Sequence, residues 1–464
     1  MPPAVLTQVP TSAVLRLERR VHDAVHLWDG RSVLRVEVPV GPCDVLAWLA
    51  AQPAGDAVYW RGRAAREAWA GWGAALRYDL DGLADLGAVQ QAADALPARA
   101  RLFLSARFAP DATPAPEWAA FGRVRAVLPR LELRADSPSR RAGDRSGTLA
   151  VHFAPGDRPA DVLRTLRAMR WPPDAGVLAG ALPGAVGRAD APDRAGWHGA
   201  VDAALRAFQT GELSKVVLAR RADLAFDAPL DPYALLSRLQ AATPRCFHAL
   251  VAPEGGPAFV SATPERLFRI DGRELRTEAV AGTRPRADLD ADDDRLHDEL
   301  LASVKDQREH AFVRDAIAAR LAPFCEALEI DGEASAMTLA RKRHLRTGFR
   351  ARLRGDARAT DLLRALHPTP AVGGTPHHAA RAAIDRLEPF DRGLYAGPLG
   401  WIGPDGAEVA VAIRSGLVDG RTLSLYSGAG IVPGSDADAE WEEIEHKIGD
   451  FARVLRLPDA ALAA

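Results

Sequence analysis

The sequence predicts an α+β fold in which antiparallel strands form a sandwich and the helices are segregated from them. Between residues 246 and 282, four short apolar runs follow one another with turn sequences between them, a pattern typical of an antiparallel meander. Longer segments with helical periodicity lie outside this region. The Gly-rich segment 427–435 lacks the G-x-G-x-x-G spacing of a dinucleotide-binding loop, which disfavours a doubly wound nucleotide-binding sheet.

The individual elements follow from periodicity and turn residues. Up to about residue 190, short strand-like and helix-like runs alternate, and 32–40 and 121–136 are predicted strands. Segment 171–196 is rich in Pro, Gly and Ala and is a predicted linker or long crossover. The remaining predicted elements are a helix at 197–212, a strand at 213–226, the meander strands at 246–252, 258–262, 266–270 and 274–282, a long helix from 288 to about Leu328, a hairpin of 409–418 and 421–432, and a closing helix at 435–457 with Ser435 as its N-cap.

Composition and charge indicate an ordinary globular protein. Of the 464 residues, 48% are hydrophobic and 26% are charged, and the net charge of −2 disfavours a general binder of nucleic acid or of acidic membranes. The cysteines Cys43, Cys246 and Cys325 are far apart and fit neither a disulfide framework nor a metal site. The first residues lack the pattern of a signal peptide, and the longest weakly polar run, 176–187, is too short to cross a bilayer. We therefore expect a cytoplasmic protein.

Lysine is almost absent from this chain. Only four of its 59 basic residues are Lys, the other 55 are Arg, and there is no Asn, a bias typical of a G+C-rich genome. Lys215 nevertheless stands within the apolar, strand-like run 213–226. Because a lysine can lose its proton in a protein and an arginine cannot, Lys215 is a candidate base. Chance retention of a few lysines is the alternative.

Carboxylates recur at three other places. On the predicted closing helix Glu440, Glu443 and Lys447 fall on one face, which is either a solvated charged face or a pair of ligands for a hard cation such as Mg²⁺. Glu309 lies on the preceding predicted helix, and the sequence does not show whether the two helices meet. Glu265 lies between two predicted strands, where a desolvated carboxyl would suit a general acid and an exposed one would be an ordinary turn residue.

Eight segments, taken in order, resemble those of the chorismate-utilising enzymes. They are "KVVLAR", "ATPERLF", "EAVAGTRPR", "KDQREHAFV", "LHPTPAVGG", "FDRGLYAGPLGW", "VAIRSG" and "SGAGIV…S…EWEEIEHK". The resemblance covers about residues 197–456 and, within the family, is strongest to the isochorismate synthases. It implies two similar antiparallel sheets packed as a sandwich with helices on the outside. It further implies a chorismate-binding catalytic region (197–458) and a divergent N-terminal portion (1–190) that adds strands and helices to the sandwich.

The resemblance also implies a reaction and its catalytic groups. Isochorismate synthases convert chorismate, a small dicarboxylate, with Mg²⁺: water adds at ring C2 and the C4 hydroxyl leaves. Lys215 matches the base that activates the water, and Glu265 matches the acid that protonates the departing hydroxyl. Glu309 and Glu443 match the Mg²⁺ ligands, with Glu440 next to them through water. A base explains why a lysine is kept at this place.

The other residues implied by the resemblance bind the substrate. They are the carboxylate-binding Arg414 and Lys447, the Gly428 amide for the enolpyruvyl carboxylate, the Gly282 backbone, the Thr283 hydroxyl and His344, a pocket histidine near C4. For His344 an ordinary surface histidine is the alternative.

Relatives with the same fold catalyse other reactions, and single positions distinguish them. Anthranilate synthases carry Gln where Lys215 stands and usually pair with a glutaminase, so we expect no glutaminase subunit. Ala281 stands where aminodeoxychorismate synthases commonly have a nucleophilic lysine. Ala371 follows "HPTP" where salicylate synthases often have Thr, which favours a reaction that stops at isochorismate. Ser261 departs from the Gly that the family usually has just before the segment that holds Glu265.

We therefore expect a monomeric, Mg²⁺-dependent isochorismate synthase that acts on chorismate in menaquinone biosynthesis. The alternatives are an isochorismate synthase of a siderophore pathway, a salicylate synthase, and an inactive chorismate-binding paralogue. We expect neither a nucleic acid nor a membrane as a partner. A nicotinamide-dependent oxidoreductase is disfavoured because the required Gly loop is missing.

Overall fold

The computed structural model describes residues 9–63, 67–136, 147–172, 178, 182–285, 290–338 and 342–454. The α-helices in these ranges are α1 (Val9–Val25), α2 (Val45–Ala50), α3 (Gly87–Asp94), α4 (Pro159–Ala168), α5 (Arg194–Gln209), α6 (Pro232–Ala242), α7 (Asp290–Ala302), α8 (Val304–Leu321), α9 (Ala359–Leu366), α10 (His377–Leu387) and α11 (Ala437–Val454). The strands are β1 (Leu34–Val40), β2 (Ala57–Arg61), β3 (Glu67–Leu80), β4 (Leu102–Ala106), β5 (Val124–Asp136), β6 (Gly147–Phe153), β7 (Ala185–Ala191), β8 (Lys215–Phe226), β9 (Phe247–Ala252), β10 (Ala258–Thr263), β11 (Arg266–Asp271), β12 (Glu274–Pro285), β13 (Cys325–Ile330), β14 (Ser335–Thr338), β15 (Lys342–Leu353), β16 (Gly374–Thr375), β17 (Pro398–Gly403), β18 (Gly406–Val411), β19 (Ser415–Asp419) and β20 (Thr422–Ile431).

The strands form two antiparallel halves that share β5. The order in the first half is β7–β8–β20–β19–β10–β9–β2–β3–β5. The order in the second half is β5–β4–β17–β18–β11–β12–β15. β5 belongs to both halves because it pairs with β3 along one of its edges and with β4 along the other. On that second edge, β4 pairs with residues 124–127 of β5, and β6 pairs with residues 131–135. The predicted antiparallel architecture is confirmed.

The N-terminal portion of the chain supplies strands to both halves. In the first half, β2 pairs with β9, and in the second half, β4 pairs with β17. Trp118 lies in a short 3₁₀ helix between β4 and β5, and its ring is 5.8 Å from that of Phe259 and 5.9 Å from that of Tyr426. All three side chains belong to one continuous apolar core. The N-terminal strands are thus hydrogen-bonded to the C-terminal ones in both halves, and they share one core.

Local sequence accounts for where several helices begin. Asp44, Asp193 and Asp231 each accept backbone N–H hydrogen bonds at the start of α2, α5 and α6, which satisfies donors that have no partner inside the helix. Pro232 follows Asp231 at the first helical position, where its missing N–H does no harm. None of the described helices combines the length and apolar character that a bilayer-spanning segment requires.

The predicted linker at 171–196 is wrong in part, because it contains β7. This strand pairs with β8 and carries Arg188, whose guanidinium binds Asp190 at 2.9 Å and Glu445 of α11 at 2.7 Å. The strand therefore depends on a neighbouring strand and on a charge from a distant helix. Local composition does not contain that information.

The predicted long helix ending near Leu328 is also wrong. It is divided into α7 and α8 at Ser303, whose hydroxyl accepts a hydrogen bond from the Asp306 N–H at 3.2 Å and so caps a new helix. α8 ends at Leu321, a 3₁₀ turn that contains Pro323 follows, and the chain then enters β13. Proline cannot supply the N–H that would continue an α-helix.

Two predictions near the C-terminus need correction. The predicted strand 409–418 is broken at 412–414 into β18 and β19. The closing helix begins at Ala437, and Asp436 caps it by accepting the Ala439 N–H at 2.9 Å. Ser435, the predicted cap, instead accepts a hydrogen bond from the Val432 N–H at 3.2 Å.

Candidate active site

Two of the points at which the chain passes from one half to the other carry a predicted site residue. β10 belongs to the first half and β11 to the second, so the chain crosses at Pro264 and Glu265. It returns between β18 and β19, at 412–414, where Arg414 lies. Backbone hydrogen bonds join the two crossings: the Val411 N–H donates to the Glu265 carbonyl at 3.0 Å, and the Ala262 N–H donates to the Arg414 carbonyl at 2.8 Å.

A cavity of about 250 Å³ opens beside these crossings. It is lined by ten of the twelve residues that the sequence analysis singled out: Lys215, Glu265, Gly282, His344, Ala371, Arg414, Gly428, Glu440, Glu443 and Lys447. The side chains of the other two, Thr283 and Glu309, lie outside the described part of the structure. Residues from β8, β12, β15, β20 and α11 thus meet at one place, although they are far apart in sequence.

Lys215 is the first residue of β8, and it is only 1% exposed. The short strand β16 fixes this end of β8, because Thr375 pairs with Lys215 and the Ser214 N–H donates to the Thr375 carbonyl at 2.8 Å. Gly374 has a φ of +147°, and a Cβ there would collide with the Lys215 carbonyl oxygen. The backbone that carries the lysine is therefore closely packed.

Glu265 is buried, and its surroundings favour the protonated form of its carboxyl group. Burial and, to a smaller extent, the nearby Glu278 carboxylate raise the pKa of Glu265 to about 8, although Lys215 and Arg414 act in the opposite direction. Its backbone is held by Thr263, whose hydroxyl accepts the Glu265 N–H at 3.3 Å and donates to the Val411 carbonyl at 2.6 Å. A fixed, neutral carboxyl group at a cavity wall is suited to donate a proton.

α11 presents a charged face to the cavity, as its sequence spacing predicts. Glu440 is 7% exposed, and Glu443 lies one turn further along the helix. Lys447 donates to the Gly428 carbonyl at 2.8 Å and forms an ion pair with Glu443, with Nζ and Oε1 2.6 Å apart. The hydrogen bond from Lys447 to Gly428 joins α11 to β20 at the cavity.

The cavity also contains a cation available for an anionic ligand. Among the described residues, no hydrogen-bonding or ion-pairing group contacts the Arg414 guanidinium, which lines the cavity. Lys447 also lines the cavity, beside Gly428. A guanidinium suits a carboxylate because its planar N–H groups match the two oxygens.

The acidic side chains at the cavity are oxygen donors of the type that Mg²⁺ prefers. Glu440 and Glu443 come from α11, and Asp306 comes from the first turn of α8. Within the described ranges, no group of three His, Cys, Asp or Glu side chains is arranged to hold a metal ion. Mg²⁺ is commonly bound through one or two carboxylates and several waters, so the two glutamates of α11 fit it in donor type and number.

His344 stands at an irregular place in the pairing of β12 with β15. Its Nδ1 lies 3.2 Å from the Gly282 carbonyl oxygen, and the register shifts between Ala281 and Thr283. Gly282 has a φ of +73°, and a Cβ there would lie 3.2 Å from the Asp306 Cβ. His344 is 8% exposed and lines the cavity, which excludes the ordinary surface histidine.

Three polar residues that line the cavity were not singled out from the sequence: Asp306, Tyr395 and Ser427. All three lie in segments that carry the resemblance, "KDQREHAFV", "FDRGLYAGPLGW" and "SGAGIV". Burial raises the pKa of Tyr395 to about 12, so its phenol stays neutral, and its ring stacks on Tyr426 at 5.6 Å. An acid in the first turn of a helix is common on electrostatic grounds, which is why Asp306 has no distinctive local signal.

Known proteins resemble this chain over most of its length. The family model of chorismate-binding enzymes matches residues 22–456. Isochorismate synthase MenF of Escherichia coli is 31% identical over 450 residues, which cover 96% of this chain and 99% of that protein. The solved structure described as MenF, the menaquinone-specific isochorismate synthase from Escherichia coli, has a TM-score of 0.83 and covers 96% of this chain and 99% of that one at 30% identity.

A plant relative matches a smaller part of this chain. Isochorismate synthase 2 of Arabidopsis thaliana chloroplasts is 40% identical over 267 residues, which cover 57% of this chain. The match spans about half the length of that plant protein, 48%.

Proposed function

The chain belongs to the family of chorismate-binding enzymes, and we propose that it is an isochorismate synthase, which converts chorismate into its isomer isochorismate. One observation carries this proposal: a single cavity brings together buried Lys215, the protonated carboxyl group of Glu265 and the cation of Arg414. A base, an acid and a carboxylate-binding group are what the isomerisation of a dicarboxylate by water requires. The full-length similarity to an isochorismate synthase supports the same activity.

The proposed reaction divides between the two catalytic groups. Lys215 accepts a proton from water as the water oxygen forms a bond to ring C2. The ring double bonds shift, the C4–O bond breaks, and Glu265 gives its proton to the departing hydroxyl, which leaves as water. One water enters and one leaves, so the product is an isomer of the substrate. Arginine in place of Lys215 would not accept the proton.

The substrate carboxylates are bound by the cations of the cavity. Arg414 is placed at the crossing between β18 and β19, with its carbonyl fixed by the Ala262 N–H. Lys447 is anchored to the Gly428 carbonyl, which places a second positive charge at β20. We assign the two carboxylates of chorismate to these two groups, with the Gly428 backbone beside the enolpyruvyl carboxylate.

We further propose that the enzyme uses Mg²⁺, held by Glu443 and Glu309 and, through water, by Glu440. The carboxylates of α11 fit this ion in chemistry, and Asp306 adds a further acidic group at the same cavity. When bound, the ion would neutralise and orient a substrate carboxylate. Glu443 also forms an ion pair with Lys447, and both residues line the cavity.

Product analysis tests the assignment directly. The purified protein should convert chorismate to isochorismate when Mg²⁺ is present, and chelation should reduce turnover at least about 100-fold, with recovery when Mg²⁺ is added back. Chromatography of the reaction mixture measures both. Salicylate with pyruvate would instead make the protein a salicylate synthase and would show that Ala371 does not stop the reaction. Turnover that is unaffected by chelation would remove Mg²⁺ from the proposal.

The pH dependence tests the role of Glu265. An acid must be protonated to act, and burial keeps the pKa of Glu265 at about 8 rather than its usual 4.5. Activity should therefore persist through neutral pH and fall tenfold for each pH unit above about pH 8. A profile of kcat/KM against pH measures this limb. A loss of activity already near about pH 5, where an ordinary glutamate ionises, would contradict the assigned role.

The menaquinone pathway is the proposed destination of the product. Support comes from the relative that matches this chain over nearly its full length, which is described as menaquinone-specific. A siderophore pathway is the alternative, because both pathways use isochorismate.

A further inference from the structure

Glu278 is a buried carboxylate that two arginines neutralise. It lies on β12, and its side chain is fully buried. Arg63 approaches through both terminal nitrogens, with Nη1 2.5 Å from Oε1 and Nη2 2.9 Å from Oε2, and Arg346 of β15 adds its Nε at 2.8 Å from Oε2. A buried carboxylate needs this compensation, because an unpaired charge in the interior is strongly unfavourable.

Arg63 makes one contact that Arg346 does not make. Its Nη1 also donates to the Pro264 carbonyl oxygen at 2.7 Å. Pro264 is the residue before Glu265, at the crossing of the chain from β10 to β11. The guanidinium therefore connects a fixed anion on β12 to the turn that carries the proposed acid.

The position of Arg63 is itself determined by the N-terminal portion of the chain. β2 ends at Arg61, which pairs with His248 of β9, and Arg63 follows two residues later. The guanidinium carbon of Arg63 lies 5.5 Å from the centroid of the Phe247 ring, a distance suited to a cation–π contact. With 17% of its side chain exposed, Arg63 is held on several sides.

We propose that Arg63 is a positioning residue for catalysis: anchored on Glu278, it holds the Pro264 carbonyl so that the Glu265 carboxyl group points into the cavity. The inference rests on the proposed function, in which Glu265 is the acid. Arg63 does not line the cavity, so it acts through the turn and not on the substrate. The N-terminal portion thereby contributes to the chemistry of a site whose other residues all come from the C-terminal region.

Two matched substitutions separate the turn contact from the charge on Glu278. Arg63→Met removes both contacts, whereas Arg346→Met removes a guanidinium from the same carboxylate and leaves the Pro264 contact intact. We expect Arg63→Met to lower kcat about 10- to 100-fold with KM changed less than about threefold, because misplacing a catalytic group costs rate and not substrate binding. Arg346→Met should keep kcat within about threefold of the wild-type value.

Arg63→Lys provides a second variant should the methionine variant fail to fold. The lysine keeps the charge beside Glu278, but one ammonium cannot reproduce the fork that reaches Glu278 and Pro264 together. We expect it to fold and to lose kcat at least about fivefold. Thermal unfolding of each variant checks the fold.

Three outcomes would overturn the inference. Equal losses in the Arg63→Met and Arg346→Met variants would assign the effect to the charge on Glu278. A rise in KM with kcat unchanged would assign Arg63 to substrate binding. Wild-type kcat in a folded Arg63 variant would show that the turn needs no such support. If the wild-type protein does not turn over chorismate, the proposed function fails first, and the inference fails with it.

Discussion

Replacing Lys215 with Ala is expected to abolish turnover of chorismate, with kcat reduced by roughly 1,000-fold or more, in the upper range of what a positioned base contributes. The substitution removes the group that accepts the proton of the attacking water. Lys215 is buried at the start of β8. Among the side chains that the structure describes, Lys447 is the one other lysine that lines the cavity, and it is bound to Glu443 and Gly428. Single-turnover measurement of isochorismate formation checks this.

Lys215→Arg is the sharper variant of the same test. An arginine has approximately the same length and always carries a positive charge, so it cannot accept a proton, and the variant should be about as inactive as Lys215→Ala. Chorismate binding should be weakened less in the arginine variant, which calorimetry would show. Substantial activity with Arg would mean that position 215 supplies a charge and not a base.

Replacing Glu265 with Gln is expected to lower kcat by about 100- to 10,000-fold, because the amide keeps the shape of the protonated acid but has no proton of comparable acidity to donate. KM should change little. The residual activity should also lack the fall above about pH 8 that the ionisation of Glu265 produces in the wild-type enzyme. A residual profile that still falls there would assign that limb to another group.

The same substitution should stabilise the folded protein at alkaline pH. The pKa of Glu265 is raised in the folded state to about 8, above the value of 4.5 expected for an unfolded chain. The folded state therefore binds the proton more tightly, and stability is lost as the pH rises from about 4.5 through about 8. Glutamine never ionises, so Glu265→Gln should raise the free energy of unfolding at about pH 9 by up to about 4 kcal/mol relative to its effect near about pH 5. Denaturant unfolding at the two pH values measures both.

Periodicity and composition predicted much of the site because part of its information is local. Glu440, Glu443 and Lys447 are spaced to share a helical face, and they do so at the cavity. The retention of Lys215 in an arginine-rich chain has an equally local signal, since Arg cannot replace a base. These residues need no knowledge of the tertiary structure to be chosen.

Other features depend on contacts between distant segments and were not predictable in this way. The pKa of Glu265 depends on burial and on Glu278, which lies on another strand. The support of the Glu265 turn by Arg63 joins residues about 200 positions apart. The division of the predicted strand 409–418 follows from β18 and β19 pairing in different halves of the sheet. In each case the partner and not the segment itself determines the outcome.

The strand pairs β2–β9 and β4–β17 have a consequence for how this protein can be divided. A fragment that began near residue 190 would retain the proposed base, acid and metal ligands, yet β9 and β17 would each lose a neighbour. Exposed edge strands with apolar faces pair readily with other chains, so such a fragment should aggregate before it could act. The N-terminal portion is thus a requirement for solubility of the portion that carries the proposed catalytic groups, and the two must be expressed and engineered together.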